Sequence, residues 1–172
     1  MHKLIILRGN SGSGKTTVSK ELQKKFGKNT MYISQDMVRR QILMVDDGND
    51  TLALPLMKEM LSYGSRNSEV VILEGIMYAD WYRTLFVQAK ELYRDNIYAY
   101  YFDIPFEETV RRHQMRDKRN EFGAEAMRKW WREKDYSDVL DERTIGLECD
   151  KDSIVNKIYC DVTVSYTHLT LP

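Results

Sequence analysis

The stretch Gly9-Asn10-Ser11-Gly12-Ser13-Gly14-Lys15-Thr16 satisfies the phosphate-binding pattern Gly-x-x-x-x-Gly-Lys-Ser/Thr at every fixed position. A triphosphate carries several negative charges that must be met by short-range donors with no side chain in the way. Gly9, Gly12 and Gly14 remove that obstruction and permit positive φ, so that successive backbone N–H groups can curl into an anion nest. The amphipathic run from Thr17 to Phe26 supplies a following helix, whose first unpaired N–H groups and positive dipole end point into the same nest. Lys15, read as a surface charge until phosphate arrives, reaches the β and γ oxygens, and the Thr16 hydroxyl is left to ligate a hard cation. The candidate cradle is therefore Gly9, Asn10, Ser11, Gly12, Ser13, Gly14, Lys15, Thr16 and Thr17. A bare Gly/Ser-rich turn with Lys15 merely exposed would need neither the apolar run before it nor the helical run after it.

Three further groups could do chemistry. Asp36 stands just beyond a short apolar strand, with Arg39 one helical turn on. A carboxylate there can take the proton of an attacking hydroxyl while the guanidinium holds or polarises the acceptor. Asp36 reads equally as the N-cap of a following helix, and the two roles can coexist. Glu74 ends another apolar run as a strand-end acid, of functional or merely structural use. Arg111, Arg112, Arg116, Lys118 and Arg119 face only one acid, Asp117. Such a run is either a solvated helix face or a mobile set of arginines that meets the charge spread over a transferring phosphoryl group.

These groups need elements to hold them. Ile5 to Leu7 predict a strand buried on both faces, followed by a helix on the Val18, Leu22, Phe26 spacing that ends at Gly27. Strands follow at Met31–Ser34, Glu69–Leu73, Ile97–Phe102 and, weakly, Thr144–Leu147. Helices are predicted over Met37–Val45, Thr51–Tyr63, Ala79–Tyr93, Phe106–Met115, Ala124–Lys134 and Ser153–Tyr159. Asp46 to Asp50 lack calcium-loop spacing and read as a solvated loop. Trp130 and Trp131, being adjacent, cannot both face the core; one lines an acceptor pocket or packs on a lid. Residues 1–161 form one domain, while 162–172, free of Lys, Arg, Asp and Glu, read as an edge strand or as a disordered or non-native tail. Alternation of strands and helices predicts parallel pairing through right-handed crossovers, with ligands at the carboxyl ends of the strands.

In this chain of 172 residues, 26 basic and 26 acidic side chains cancel, so no global field draws it to nucleic acid or anionic membrane. Cys149 and Cys160 make no metal or redox spacing, with or without His2, His113 and His168, and read as reduced, buried or half-buried thiols. No apolar segment is long enough for a signal peptide or a membrane span, so the expected location is cytoplasmic. A GTPase switch is excluded: no Asp-x-x-Gly follows a strand, and Asn156-Lys157-Ile158-Tyr159 lacks the final Asp of a guanine-reading motif. A motor ATPase would ordinarily be larger.

Gly9 to Thr16, Ser34-Gln35-Asp36 with Arg39, the strand ending Glu74-Gly75 and the later Arg-rich helix together resemble the small P-loop kinases. These include the zeta-toxin and chloramphenicol phosphotransferase types, phage polynucleotide kinase and proteins labelled uridine kinase, the last through Glu121-Phe122-Gly123 and Met127-Arg128. The resemblance spans about residues 3–160 and implies a three-layer α/β P-loop fold, with five parallel strands in the order 2-3-1-4-5 and a helical lid at about 111–134. It implies ATP and Mg²⁺, Asp36 as base, Thr16 and Glu74 at the metal, and Arg112, Arg116 or Arg119 closing over the phosphates. The expected reaction is γ-phosphate transfer to a hydroxyl of a small molecule such as a nucleoside, sugar nucleotide or antibiotic. A polynucleotide 5′-hydroxyl kinase and a nucleotide-binding regulatory module with negligible turnover are the alternatives; the neutral charge balance opposes the first.

Overall fold

The computed structural model describes residues 2–116 and 121–164. Its elements run β1 (Lys3–Gly9), α1 (Lys15–Phe26), β2 (Thr30–Ser34), α2 (Gln35–Met37) passing into a π-helical turn (Val38–Leu43), α3 (Ala53–Asn67), β3 (Val70–Gly75), α4 (Arg83–Tyr93), β4 (Ile97–Phe102), α5 (Phe106–Gln114), α6 (Ala124–Trp130), β5 (Glu142–Ile145) and α7 (Lys151–Val164). The five strands form one all-parallel sheet in the order β2-β3-β1-β4-β5, the P-loop NTPase α/β arrangement.

The unbroken apolar run of β1 follows from its central place: it is buried along its whole length between β3 and β4. Its side chains still alternate. Leu4 and Ile6 join a core with Leu61 of α3 and Phe86 of α4, whereas Ile5 and Leu7 join a second core with Val18 and Leu22 of α1 and Ile158 of α7. Two helical layers thus sandwich the sheet. Register then gathers the chemistry at one end: Leu7 pairs with Glu74, and Ser34 pairs with the same Glu74, so the phosphate loop, Glu74 and the Gln35-Asp36 turn leave the sheet side by side.

Several boundaries differ from the sequence reading. The helix after β2 is capped by Ser34, whose hydroxyl accepts from Met37 N at 3.4 Å; Asp36 therefore lies inside the first turn and is not the N-cap. That helix does not continue to Val45 as an α-helix but widens into a π turn and stops at Met44 in the left-handed conformation (φ 53°). The residues from Ala79 to Tyr82 precede α4 as turns, since Tyr82 closes its backbone bond on Tyr78 O before the helix begins. Helix α7 takes in Val162–Val164, with Val162 buried and its carbonyl accepting from Lys3 Nζ. That overturns the edge-strand reading for these three residues; 165–172 lie outside the described residues. Cys149 is half-buried and Cys160 exposed, both free thiols, so burial holds for only one of them. Among the described residues, no helix is long and apolar enough to cross a membrane.

Candidate functional site

The phosphate loop leaves β1 behind a buried anchor. Arg8 is fully buried; its Nε donates to Met77 O (3.0 Å), Nη1 to both carboxylate oxygens of Glu142 (2.8 and 3.0 Å), and Nη2 to the carbonyl and carboxylate of Asp135 (2.9 and 3.1 Å). A buried guanidinium is tolerated only when so completely paired. Sequence reading missed it, although an arginine at the end of an apolar strand is the visible sign. Asn10 next ties the loop to the chain beyond α6, donating to Arg132 O (2.7 Å) and accepting from Arg132 N (3.1 Å).

Gly12 and Gly14 adopt φ of 80° and 101°, the left-handed backbone that the nest demands, and a Cβ on Gly12 would meet the Thr109 carbonyl at 2.7 Å. Lys15 is not the surface charge expected: it is 6 % exposed, and its Nζ donates to Asn10 O (2.8 Å) and Ser13 Oγ (3.1 Å). Burial pushes its pKa down to about 8, with Arg116 and Arg8 adding to the depression and Glu74 opposing it. Thr16 and Thr17 open α1 and are exposed.

Glu74 is buried, and its Oε1 accepts from Thr16 Oγ1 (3.2 Å) and from Tyr32 OH (2.8 Å). A hydroxyl and a carboxylate in contact are the hard oxygen donors that Mg²⁺ takes. No cluster of three or more His, Cys, Asp or Glu able to hold a metal exists among the described residues, so Thr16 and Glu74 fit a cation whose remaining ligands are phosphate oxygens and water.

Just beyond β2, Asp36 Oδ1 pairs with Arg40 Nε at 2.7 Å and with Arg39 Nη2 at 3.4 Å. The tighter partner is therefore Arg40, which sequence reasoning did not single out despite its i+4 spacing from Asp36. Arg39 keeps a buried Nε without a hydrogen-bond partner among the described residues, and its side chain lines the cleft.

Of the basic run, Arg111 points outward onto Glu108, with two bonds of 2.7 Å. Arg112 turns inward: Nε donates to Glu108 (2.7 Å) and Nη1 to Ser13 O (3.1 Å), which docks α5 on the phosphate loop. These hydrogen bonds, Arg111's first, hold the Glu108 carboxyl down at about 2. Arg116 lines the cleft, its pKa lowered by burial and by Arg112. Arg119 lies outside the described residues, with the rest of 117–120. His113 Nε2 bonds the Phe122 carbonyl (2.7 Å) beneath stacked rings, fixing the chain before α6. Trp130 and Trp131 both line the cleft, and neither belongs to the core.

One cavity of about 970 Å³ is lined by the phosphate loop, the end of β3 and residues between Gln35 and Asp47. Its walls include Lys15, Thr16, Glu74, Asp36, Arg39 and Arg116. The acidic segment at 46–50 is not simply solvated as read. Asp46 and Asp47 line the cavity, and Asp47 is held by Tyr82 OH (2.7 Å) and Gln35 Nε2 (3.0 Å). Arg132 also lines it, its guanidinium carbon 3.8 Å above the Tyr78 ring.

A family model described as an AAA domain matches residues 4–134. No curated protein matches the chain. Among solved structures, the tunicamycin resistance protein of Deinococcus radiodurans is similar, at a TM-score of 0.68 and 16% identity, covering 95% of this chain and 96% of that one. A gluconokinase from Sinorhizobium meliloti 1021 aligns at a TM-score of 0.62 and 14% identity, covering 97% and 95%. The APS kinase of Mycobacterium tuberculosis, in complex with AMPPNP and APS, aligns at 0.60 and 19% identity, covering 94% and 96%. Likeness at these identities establishes the fold and leaves the chemistry to the site.

Proposed function

The chain belongs to the AAA domain family, and from that premise we propose that it is an ATP-dependent kinase transferring the γ-phosphate to a hydroxyl of a small molecule. One observation carries the reading: a single cavity brings Lys15, Thr16 and Glu74 at the end of β1 and β3 against Asp36 and Arg39 at the end of β2. The first group serves the nucleotide phosphates. The second supplies a base and a guanidinium on the side from which an acceptor would approach. The names gluconokinase and APS kinase among the structural neighbours support the same chemistry on this fold.

In the proposed reaction the acceptor oxygen forms a bond to Pγ, the bond from Pγ to the β-bridging oxygen breaks, and ADP departs with that electron pair. The hydroxyl proton passes to Asp36. In this reading Lys15 exchanges Asn10 O and Ser13 Oγ for phosphate oxygens, and Arg112, docked on the Ser13 carbonyl, and Arg116, lining the cavity, are the arginines that would meet charge on the transferring group. Mg²⁺, bound by Thr16 with Glu74 behind it, would neutralise charge on the phosphates. The reading puts the protein in the cytoplasm, where ATP is supplied.

ATP consumption against a panel of nucleosides, sugar nucleotides, antibiotics and 5′-hydroxyl oligonucleotides tests it. A phosphorylated small molecule supports the proposal; a phosphorylated oligonucleotide alone moves the chain to the polynucleotide kinases. ATP binding with no product from any acceptor leaves a nucleotide-binding module.

A further inference from the structure

Gln35, the residue before Asp36, carries a polar side chain that is only 4 % exposed. Burying a primary amide is costly unless its donors and acceptor are met. They are met from two other segments, the 44–52 loop and the loop between β3 and α4. Nε2 donates to Tyr82 OH (2.8 Å) and to Asp47 Oδ2 (3.0 Å), while Oε1 accepts from the backbone N–H of Met77 (3.1 Å). Tyr82, itself fully buried, then donates to Asp47 Oδ1 (2.7 Å) and closes a three-membered ring of side chains. Gly48 N adds a further bond to that oxygen at 3.0 Å.

The surrounding backbone is shaped to this ring. A Cβ on Gly75 would lie 2.5 Å from Gln35 Oε1, so glycine is what lets the amide cross the end of β3. Met77, whose N–H the amide holds, sits at φ 41° without being glycine, a conformation that persists only where its surroundings impose it. Burial and the Asp47 carboxylate both raise the Tyr82 pKa, which keeps its hydroxyl a donor.

We propose that Gln35, Asp47 and Tyr82 are the positioning residues of the acceptor half of the cleft: they lock the β2, 44–52 and β3 loops together and so hold Asp36 at its working height. This rests on Asp36 being the base. None of the three touches the phosphate loop through a described hydrogen bond, so the ring acts on transfer and leaves nucleotide binding alone. Asp47, engaged through both oxygens, is the strut of the ring.

A double-mutant cycle separates positioning from plain stability. The probe is MgATP with water as the phosphoryl acceptor, read in single turnover, and afterwards any acceptor that the panel returns. Tyr82→Phe removes one hydroxyl and should lower the rate about 10- to 100-fold, the scale of a misplaced catalytic group, with ATP affinity unchanged. In an Asp36→Asn background, the same change should cost less than about 2-fold, because the group it positions is gone. Equal losses in both backgrounds would overturn the proposal. A rate unaffected by Asp36→Asn would instead remove the base assignment beneath it. Independently of turnover, Gln35→Met should speed amide exchange at Met77 and through 44–50 in a protein that still melts cooperatively; unchanged protection there would overturn the ring.

Discussion

Thr16 Oγ1 donates to Glu74 Oε1 at 3.2 Å, joining the first turn of α1 to the end of β3 through two oxygens that a divalent cation can share or displace. Tyr32 OH holds the same carboxylate oxygen at 2.8 Å and keeps it turned toward Thr16. Glu74→Gln retains the shape but loses the charge. It should raise the Mg²⁺ concentration needed for half-maximal turnover about 10- to 100-fold, the range for groups that orient a metal ligand. Affinity for ATP without Mg²⁺ should stay within about 2-fold. A Mg²⁺ titration of turnover, paired with calorimetry in chelator, checks both; an unmoved Mg²⁺ dependence would leave Glu74 a structural acid.

Lys15 gives a pH prediction. Its pKa is depressed to about 8 in the folded protein, from 10.5. Between those values the unfolded chain binds more protons, so folding stability should rise with pH through that window. The cost of the buried charge is fully present below about pH 8. Lys15→Met should flatten the rise in melting temperature from pH 7.5 to 9.5 and melt no lower than the parent at neutral pH, while losing at least about 10²-fold in turnover. Nucleotide phosphates should restore the charge, so ATP binding at pH 8.5 takes up a proton. Calorimetry in buffers of different ionisation enthalpy reads that uptake directly, and none in the parent protein would contradict the burial of Lys15.

The basic helix separates by direction. Arg111 pairs with Glu108 on the exposed face, whereas Arg112 spans Glu108 and the Ser13 carbonyl. Arg111→Ala should change turnover by less than about 2-fold, as for a surface pair. Arg112→Ala should lower it about 10-fold or more through a loosened phosphate loop. Equal small losses that vanish in high salt would show a solvated face at both positions.

Legibility followed the range of the interactions. The phosphate loop could be read because its signal is local: glycines, a lysine and a helix start within eight consecutive residues. Parallel pairing followed from alternation and strand order from the family resemblance alone, and the match of β1 and β4 to their apolar runs reflects burial on both faces. What escaped depends on partners far along the chain. Gln35 is meaningful only beside Asp47, Met77 and Tyr82, and Arg8 only beside Asp135 and Glu142. Asn10 reaches Arg132, 122 residues further along the chain. Lys15 was read as exposed because a charged residue after a glycine usually is; the loop's own oxygens make burial tolerable here. The cap alternative for Asp36 fails because Ser34, the last residue of β2, supplies the capping hydroxyl.

The most direct test of the account is Asp36→Asn, measured for melting, ATP affinity and transfer on one preparation. Since Ser34 is the cap, the substitution removes no capping bond. It weakens pairs with Arg39 and Arg40 that are partly solvent-screened, and so should shift stability by no more than about 1 kcal/mol. The account predicts a normal melt, ATP affinity within about 2-fold, and transfer reduced about 10²- to 10⁴-fold, the contribution of a general base. Normal transfer in a normally folded Asp36→Asn protein would contradict it.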